Sequence, residues 1–232
     1  MIVVGLVAGR GIGDMALRVM EPIYSDPLVD QLYVCIGEPP DMPTELKQHP
    51  KITPVYHTIR AHGDLGPARN TLLNLIEAQC DPDWLMIGDE DGLIDPGFFL
   101  GLDLIPINGL PILATGRMRN ADGNRWYDIC GFIKCPNTGA PQPVALPYNE
   151  WMHKKWNKSR YANGGQHILN RSARALKVRY QHIDGEDPHF CWDFVKAGGR
   201  IQFVPDLGMT LAKQHGPCYV LSSEEAKIRT PL

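Results

Sequence analysis

The chain has 232 residues and a net charge of −3, with 44% hydrophobic and 21% charged residues, which is ordinary for a globular protein. This composition excludes collagen-like and low-complexity chains, and the longest apolar runs are far shorter than the roughly 20 residues that cross a bilayer. The sequence has no signal-peptide pattern, and its six scattered cysteines form no CxxC pair. We therefore expect reduced, packed cysteines in a cytoplasmic protein that has no membrane partner.

The first 92 residues predict alternating strands and helices. Short apolar runs predict strands over residues 2–8, 32–36, 52–56 and 84–87. Apolar residues at helical spacing predict helices over residues 14–21 and 67–80. We expect Asp14 to cap the first helix and Pro22 to end it. This order is typical of the α/β class, with a mostly parallel central sheet covered by helices on both faces.

The second part of the chain has a less regular pattern. Strands are predicted over residues 111–115, 126–134, 167–169 and 201–204. Helices are predicted over residues 171–177 and 186–197. The proline-rich segment 140–147 predicts a loop. Because the sequence contains no internal repeat, we expect a single domain over residues 1–232.

Three consecutive carboxylates, Asp89, Glu90 and Asp91, follow the predicted strand 84–87. Ligands bind outside the carboxyl ends of the strands in an open α/β sheet, so these residues lie where a site is expected. Like charges this close repel one another unless a cation neutralises them, and oxygen ligands suit Mg²⁺ or Mn²⁺ shared with substrate phosphates. The alternative is a solvated acidic turn.

Four other features are candidates for chemistry, and each has a plain structural alternative. Glu186 and Asp187 open a predicted helix, where the helix dipole alone would favour carboxylates. His215 follows a strand-like run and is either a metal ligand or a structural histidine. Gly165, in a glycine pair, indicates either a turn or a close approach of the backbone to a ligand. Arg69 begins a helix, where it is either a phosphate ligand or solvated.

The segment 151–161 interleaves basic and aromatic residues. Its basic residues are His153, Lys154, Lys155, Lys158 and Arg160, and its aromatic residues are Trp151, Trp156 and Tyr161. Such a mixture suits contacts to phosphates together with stacking on bases or sugars. A solvated loop with aromatic residues packed inward is the alternative.

Taken in order, these motifs resemble those of nucleotide-sugar-dependent glycosyltransferases of the GT-A fold, close to glycosyltransferase family 2. The matching motifs are the opening strand, Ala68-Arg69-Asn70, the DxD motif Asp89-Glu90-Asp91, Gly164-Gly165 with Arg171, Gly185-Glu186-Asp187, and Pro205-Asp206 ahead of His215. The resemblance covers about residues 1–216, and the stretch 185–205 is its most specific part.

The resemblance implies a Rossmann-like GT-A domain in which residues 1–92 bind the nucleotide sugar and residues 93–232 bind the acceptor and carry the catalytic base. The implied enzyme is a hexosyltransferase that moves a sugar from a nucleotide-sugar donor, with UDP-sugars favoured, to an acceptor hydroxyl. Inversion at the anomeric carbon is expected, although the residues do not distinguish it from retention.

The resemblance also assigns site residues. Asp91 and His215, with Asp89, would hold a divalent metal, Mn²⁺ or Mg²⁺, on the donor diphosphate. Asp187, beside Glu186, would be the general base. The donor-binding residues would be Arg10, Glu38, Arg69, Asp89 and Gly165.

Three other functions remain open at this stage. A dinucleotide-dependent oxidoreductase is suggested by Gly9, Gly11 and Gly13 with Glu38 further on, although the glycine spacing is GxGxG rather than GxGxxG. A haloacid-dehalogenase-type phosphatase is suggested by Asp89 and the residues that follow it. A noncatalytic sugar- or nucleotide-binding module would not need Asp187.

The acceptor is either a glycan or a hydroxymethylated base in phage-type DNA. The basic and aromatic segment 151–161 permits DNA modification, and a base within a duplex would have to be flipped out of the stack. The net charge of −3 does not favour a nucleic-acid partner.

Overall fold

The structure, a computed structural model, describes residues 1–105, 109–119, 167–183 and 186–211. It also describes the backbone of residues 126–127, 129–134, 141–146 and 160–161.

A central sheet runs through the described structure. In spatial order its strands are β13 (Arg200–Phe203), β6 (Ile112–Thr115), β12 (His167–Asn170), β4 (Trp84–Asp89), β1 (Ile2–Ala8), β2 (Val29–Ile36) and β3 (Ile52–Tyr56). Neighbouring strands are parallel, except that β12 is antiparallel to both β4 and β6. The predicted α/β class with a mostly parallel sheet is confirmed.

Helices cover both faces of this sheet. They are α1 (Asp14–Tyr24), α2 (Thr44–Lys47), α3 (Leu65–Gln79), α4 (Arg171–Ala175) and α5 (Glu186–Lys196), with 3-10 helices at His62–Asp64 and Phe98–Leu104. Alternate residues of β1 enter two separate cores, because successive side chains of a strand point to opposite faces. Val4 and Leu6 pack with α1, whereas Val3 and Val7 pack with α3 and α5.

Two small sheets complete the described backbone. One contains, in order, β5 (Gly92–Ile94), β14 (Met209–Leu211), β7 (Met118–Arg119) and β8 (Trp126–Tyr127). The other contains β10 (Pro141–Leu146), β9 (Ile129–Lys134) and β11 (Arg160–Tyr161). Strands β5, β7 and β14 are too short to leave a period-2 pattern, so the sequence does not predict them.

The prediction of a loop over residues 140–147 was wrong, because β10 pairs antiparallel with β9 there. Pro141 and Pro143 are two residues apart, so both lack an N–H on the same side of the strand. In the described part of this sheet β10 is an edge strand, the position at which a strand tolerates proline.

Both predictions about the ends of the first helix were also wrong. Gly13 occupies the N-cap position and Asp14 is already helical. The helix continues past Pro22 to Tyr24, because this proline lies in the last turn and interrupts one hydrogen bond only. Burial of Ile23, which is 0% exposed, stabilises that final turn.

The loops that follow β1 and β2 pack against each other through their backbones. Gly11 has a φ of +76°, and a Cβ atom there would collide with the backbone of Glu38 and Pro39. The amide of Ile12 donates to the carbonyl of Pro40 over 2.7 Å. These contacts hold both loops at the carboxyl edge of the sheet.

Replacing Gly11 with alanine is expected to lower the free energy of unfolding by about 2–5 kcal/mol, the sum of the costs of a left-handed alanine and an overpacked contact. Gly109→Ala is the matched control, since Gly109 has the same φ of +76° and no described atom lies within 4 Å of where its Cβ would be. The control should lose about 1–2 kcal/mol from strain alone. Urea denaturation measures both variants, and equal losses would contradict the packing explanation.

Candidate active site

A cleft of about 460 Å³ lies at the carboxyl edge of the central sheet, a volume typical of small-molecule sites. Its walls come from the loops after β1, β2, β3 and β4 and from the start of α3. The lining residues are Val7, Gly9, Arg10, Glu38, Ile59, Arg60, Ala61, Leu65, Asp89, Glu90 and Asp91. Four residues that the sequence predicts for the site, Arg10, Glu38, Asp89 and Asp91, are therefore in one cleft.

The acidic turn after β4 is packed rather than solvated. Asp89 is the last residue of β4, and Glu90 and Asp91 are only 9% and 5% exposed. Glu90 Oε2 accepts a hydrogen bond from the amide of Gly9 over 2.8 Å. The middle carboxylate therefore ties the turn to the loop after β1, which leaves Asp89 and Asp91 as the acidic pair of the cleft.

Behind this turn, one buried guanidinium binds three carboxylates. Arg69 on α3 is 1% exposed, and its Nη2 donates to both oxygens of Asp89 over 2.8 and 2.9 Å. Its Nη1 donates to Asp187 Oδ1 over 2.7 Å and to Glu186 Oε1. We call these four residues the Arg69 cluster. It joins β4, α3 and the first turn of α5.

The Arg69 cluster is acidic, since one guanidinium faces three carboxylates. Burial alone would lower the pKa of Arg69, but Asp187 and Asp89 raise it well above its ordinary value. Burial raises the pKa of Asp89 to about 6; Arg69 opposes this shift, and the like charges of Asp187 and Asp91 add to it. The charge at the rim of the cleft therefore favours a bound cation.

The start of α3 also organises the neighbouring loops. Asp64 Oδ2 accepts hydrogen bonds from the amides of Arg60 and Ala61 over 2.7 and 3.0 Å, which fixes that wall of the cleft. The other oxygen of Asp64 contacts His182 Nε2 at 2.8 Å. The same carboxylate thus connects a cleft loop to the segment that precedes α5.

A second set of contacts docks α3 onto that segment. Asn70 makes two hydrogen bonds with the backbone of Tyr180, over 2.8 and 2.9 Å. Gly66 lies so close to the Gln181 carbonyl that a Cβ atom would collide with it. The Ala68-Arg69-Asn70 motif therefore holds the acidic pair of α5 through Arg69 and the preceding loop through Asn70.

The geometry changes the role expected for Arg69. The sequence predicts a donor-phosphate contact, but the guanidinium lies inside the protein with both Nη atoms bound to carboxylates. A buried arginine surrounded by carboxylates holds them in place instead. Glu186, which the sequence assigns to catalysis, is 1% exposed and is likewise a structural partner in the cluster.

Two predicted site residues, Gly165 and His215, lie outside the described residues, as does nearly all of the segment 151–161. The sequence analysis did not identify Arg60, which lines the cleft. Arg60 follows β3 as Glu38 follows β2, so the rule that sites form at the carboxyl ends of strands would have identified it. Tyr180, whose ring lies beneath Arg69, had no comparable signal in the sequence.

Asp89 and Asp91 fit a hard divalent cation. Within the described ranges no group of three or more metal-binding side chains is present. Two carboxylates suffice for Mg²⁺ or Mn²⁺ when substrate phosphates and water supply the remaining ligands. Asp89 accepts two hydrogen bonds from Arg69, and a carboxylate has further lone pairs for a cation.

Replacing Arg69 with methionine is expected to lower the free energy of unfolding by about 3–5 kcal/mol, because three carboxylates lose their shared partner. Arg171→Met is the control: Arg171 also pairs with two carboxylates, but its side chain is 59% exposed, and the expected loss is about 0–1 kcal/mol. Urea denaturation of both variants measures the difference. A loss below about 1 kcal/mol for Arg69→Met would show that the cluster is not a stabilising unit.

Comparison with known proteins leads to the fold rather than to a sequence family. No protein-family model matches the chain, and no curated protein matches it.

Across the described ranges, every helix is too short or too polar to traverse a bilayer.

Solved structures similar to the chain include GalNAc-T7 with UDP, GalNAc and Mn²⁺, at 12% identity and a TM-score of 0.63 over 93% of this chain. They also include S. aureus TarS, at 10% identity and a TM-score of 0.57 over 97% of this chain. The structure of S. aureus TarS 1-349 has 12% identity and a TM-score of 0.55 over 91% of this chain. This chain spans only 45%, 37% and 60% of the length of those chains, respectively. The expectation from the resemblance is confirmed for the fold: the chain has the GT-A fold of these glycosyltransferases.

Proposed function

We propose that this protein is a metal-dependent hexosyltransferase that moves a sugar from a nucleotide-sugar donor to an acceptor hydroxyl. The observation that carries the proposal is the cleft at the sheet edge, where Asp89 and Asp91 face the interior and Arg69 links Asp89 to Asp187. The GT-A fold supports it, and the neighbour crystallised with UDP and Mn²⁺ favours a UDP-sugar donor.

The cleft offers complementary groups for a nucleoside diphosphate. Arg10 and Arg60 are the cationic side chains in its lining, and arginine pairs well with phosphate oxygens. Ile59 and Leu65 supply apolar surface for a base or a ribose. The carboxylate of Glu38 can accept hydrogen bonds from the hydroxyl groups of a ribose or the ring N–H of a base. The donor would therefore bind with its nucleoside against the loops after β2 and β3, and its diphosphate towards Asp91.

Asp91 and Asp89, with His215, would hold the divalent cation, Mn²⁺ or Mg²⁺. When bound, such a cation neutralises the charge that develops on the leaving diphosphate. The chain's own contribution is to keep both carboxylates at fixed positions, through the packed turn after β4 and through Arg69.

Asp187 is the proposed general base. Its ion pair with Arg69 stabilises the carboxylate form, which is the form that accepts a proton. Its side chain is 22% exposed, whereas that of Glu186 is 2% exposed, so an acceptor reaches Asp187 more readily. The acceptor oxygen bonds to the anomeric carbon as the bond to the diphosphate breaks, and Asp187 takes the hydroxyl proton. A single displacement of this kind inverts the anomeric centre.

The geometry favours neither of the two rival enzymes. Dinucleotide-binding folds have a strand parallel to β4 at its outer side, but here β12 is antiparallel. A phosphatase of the haloacid dehalogenase type would need Asp89 as a nucleophile near the start of its chain, whereas Asp89 ends the fourth strand here and the motif continues with Leu93 in place of threonine or valine. A noncatalytic binding module differs from the proposed enzyme only in not needing Asp187, so a variant of that residue separates the two.

The acceptor remains either a glycan or hydroxymethylated DNA, because the segment 151–161 lies largely outside the described residues. A panel of nucleotide sugars, screened for metal-dependent hydrolysis and then offered with both classes of acceptor, separates them. Replacing Lys154, Lys155 and Lys158 with glutamine should weaken DNA binding if a phosphate backbone binds there. The cytoplasm stays our expectation for the compartment.

Asp91→Asn is expected to lower sugar transfer by on the order of 10²–10³, since an amide replaces a charged ligand without changing the shape of the turn. Excess chelator should lower wild-type transfer to a similar extent. Asp103→Asn is the control, because it removes an exposed carboxylate from the 3-10 helix Phe98–Leu104, outside the cleft. Full wild-type activity in chelator would contradict metal dependence.

Asp187→Asn keeps the size of the side chain but cannot take up a proton. Transfer is expected to fall by on the order of 10²–10⁴, while donor binding measured by calorimetry persists. Asp193→Asn, on the same helix and bonded to Gln181, is the control. Unchanged turnover in Asp187→Asn would remove this residue from the mechanism and favour a binding module or another base.

A further inference from the structure

Tyr180 lies between the two helices that carry the Arg69 cluster. Its ring is 4% exposed, and the Arg69 guanidinium carbon lies 5.3 Å from the ring centroid. On α5, the ring of Phe190 stacks on Tyr180 with a centroid distance of 4.2 Å and an interplanar angle of 15°. Phe190 is one helical turn after Glu186, so the same tyrosine contacts the helix of the guanidinium and the helix of its acidic partners.

The ring supports a part of Arg69 that hydrogen bonds do not hold. Both Nη atoms bind carboxylates, but among the described residues Nε has no hydrogen-bond partner. A cation over an aromatic face is attracted by the ring quadrupole, most strongly where water is excluded, as it is around this 1% exposed side chain. The ring face therefore restricts the tilt of the guanidinium plane.

Tyr180 is itself held at its backbone, its hydroxyl and its ring. Its backbone makes two hydrogen bonds with Asn70, and its phenol oxygen contacts His167 Nδ1 at 2.6 Å. The His167 ring stacks on it at 5.5 Å, and that histidine is 0% exposed. Contacts at its backbone, its hydroxyl and its ring restrict rotation of Tyr180 away from Arg69.

We propose that Tyr180 is a positioning residue of the active site, which holds Arg69 and through it the carboxylates of Asp187 and Asp89. It lies outside the lining of the cleft. Its effect arises because a small displacement of a catalytic group costs much of the rate. The inference deepens the proposed function and depends on it only for its kinetic test.

Three variants separate positioning from ordinary packing. Tyr180→Leu removes the ring, Tyr180→Phe keeps the ring and removes the contact with His167, and Phe194→Leu is the packing control. Phe194 is 0% exposed and stacks on Phe190 at 6.4 Å in the same aromatic row. Where Tyr180→Leu does not fold, Tyr180→Met takes its place, since it fills the space with a flexible chain that also lacks a ring.

The first measurement does not need activity. In ¹⁵N-labelled protein the Arg69 Nε–Hε resonance is identified by its loss in Arg69→Lys. We expect Tyr180→Leu to broaden this resonance and to speed exchange of Hε with water, because loss of the ring current alone would only shift it. Tyr180→Phe and Phe194→Leu should leave the line width and the exchange rate unchanged. An unchanged line width and exchange rate in Tyr180→Leu overturn the inference, and so does an equal change in Phe194→Leu.

The second measurement is kinetic, with the donor identified by the nucleotide-sugar screen. Tyr180→Leu should lower kcat by on the order of 10- to 100-fold. The donor KM should change by a smaller factor than kcat. Tyr180→Phe should restore kcat to within about threefold, and Phe194→Leu should keep kcat in spite of a similar loss in Tm. Equal loss of kcat in Tyr180→Leu and Phe194→Leu overturns the positioning role. Absence of sugar transfer by the wild-type protein overturns the proposed function instead, and the resonance of Arg69 still decides the role of Tyr180.

Discussion

The buried guanidinium of Arg69 is the interaction on which the rest of the candidate site depends. Burying a charge is costly unless it is paired and hydrogen-bonded. Here the guanidinium and the carboxylates each stabilise the other's burial. The guanidinium would be unstable at 1% exposure without carboxylates, and Asp89, Glu186 and Asp187 could not be crowded together without a cation. Because α3, β4 and α5 each contribute to this cluster, it fixes how the helices dock on the carboxyl edge of the sheet.

This arrangement divides the site into two parts that share one anchor. The cleft is built by the loops after β1 to β4 and contains Asp89 and Asp91. Asp187 comes from the first turn of α5, which packs on the sheet face that carries Val3 and Val7. Arg69 contacts Asp89 on one side and Asp187 on the other, so the group proposed to hold the donor and the group proposed to activate the acceptor are placed by a single side chain.

The local parts of the fold were predictable from the sequence, but the long-range contacts were not. Strand β3, predicted over residues 52–56, is observed at Ile52–Tyr56, because a short apolar run is a local property of the chain. Strand β10 was missed because prolines indicate a loop unless the edge position of the strand is known. Arg69 was predicted as a donor contact, whereas the structure pairs its guanidinium with carboxylates, and its partner Glu186 is 117 residues away along the chain. Spacing in a sequence carries no information about which distant charges meet in a core.

The backbone packing of the loops around Gly11 has a consequence for how donor specificity can change. The cleft wall is held by main-chain groups such as the amide of Ile12 on the carbonyl of Pro40, and by the absence of a side chain at Gly11. The side chains of Arg10 and Glu38 line the cleft, and within the described part of the chain neither makes a side-chain hydrogen bond that fastens this wall. Substitutions at those two positions therefore alter the chemistry offered to a nucleotide without loosening the loops that present it. Adaptation to a new donor, in nature or in directed evolution, can proceed there by single steps with little loss of stability.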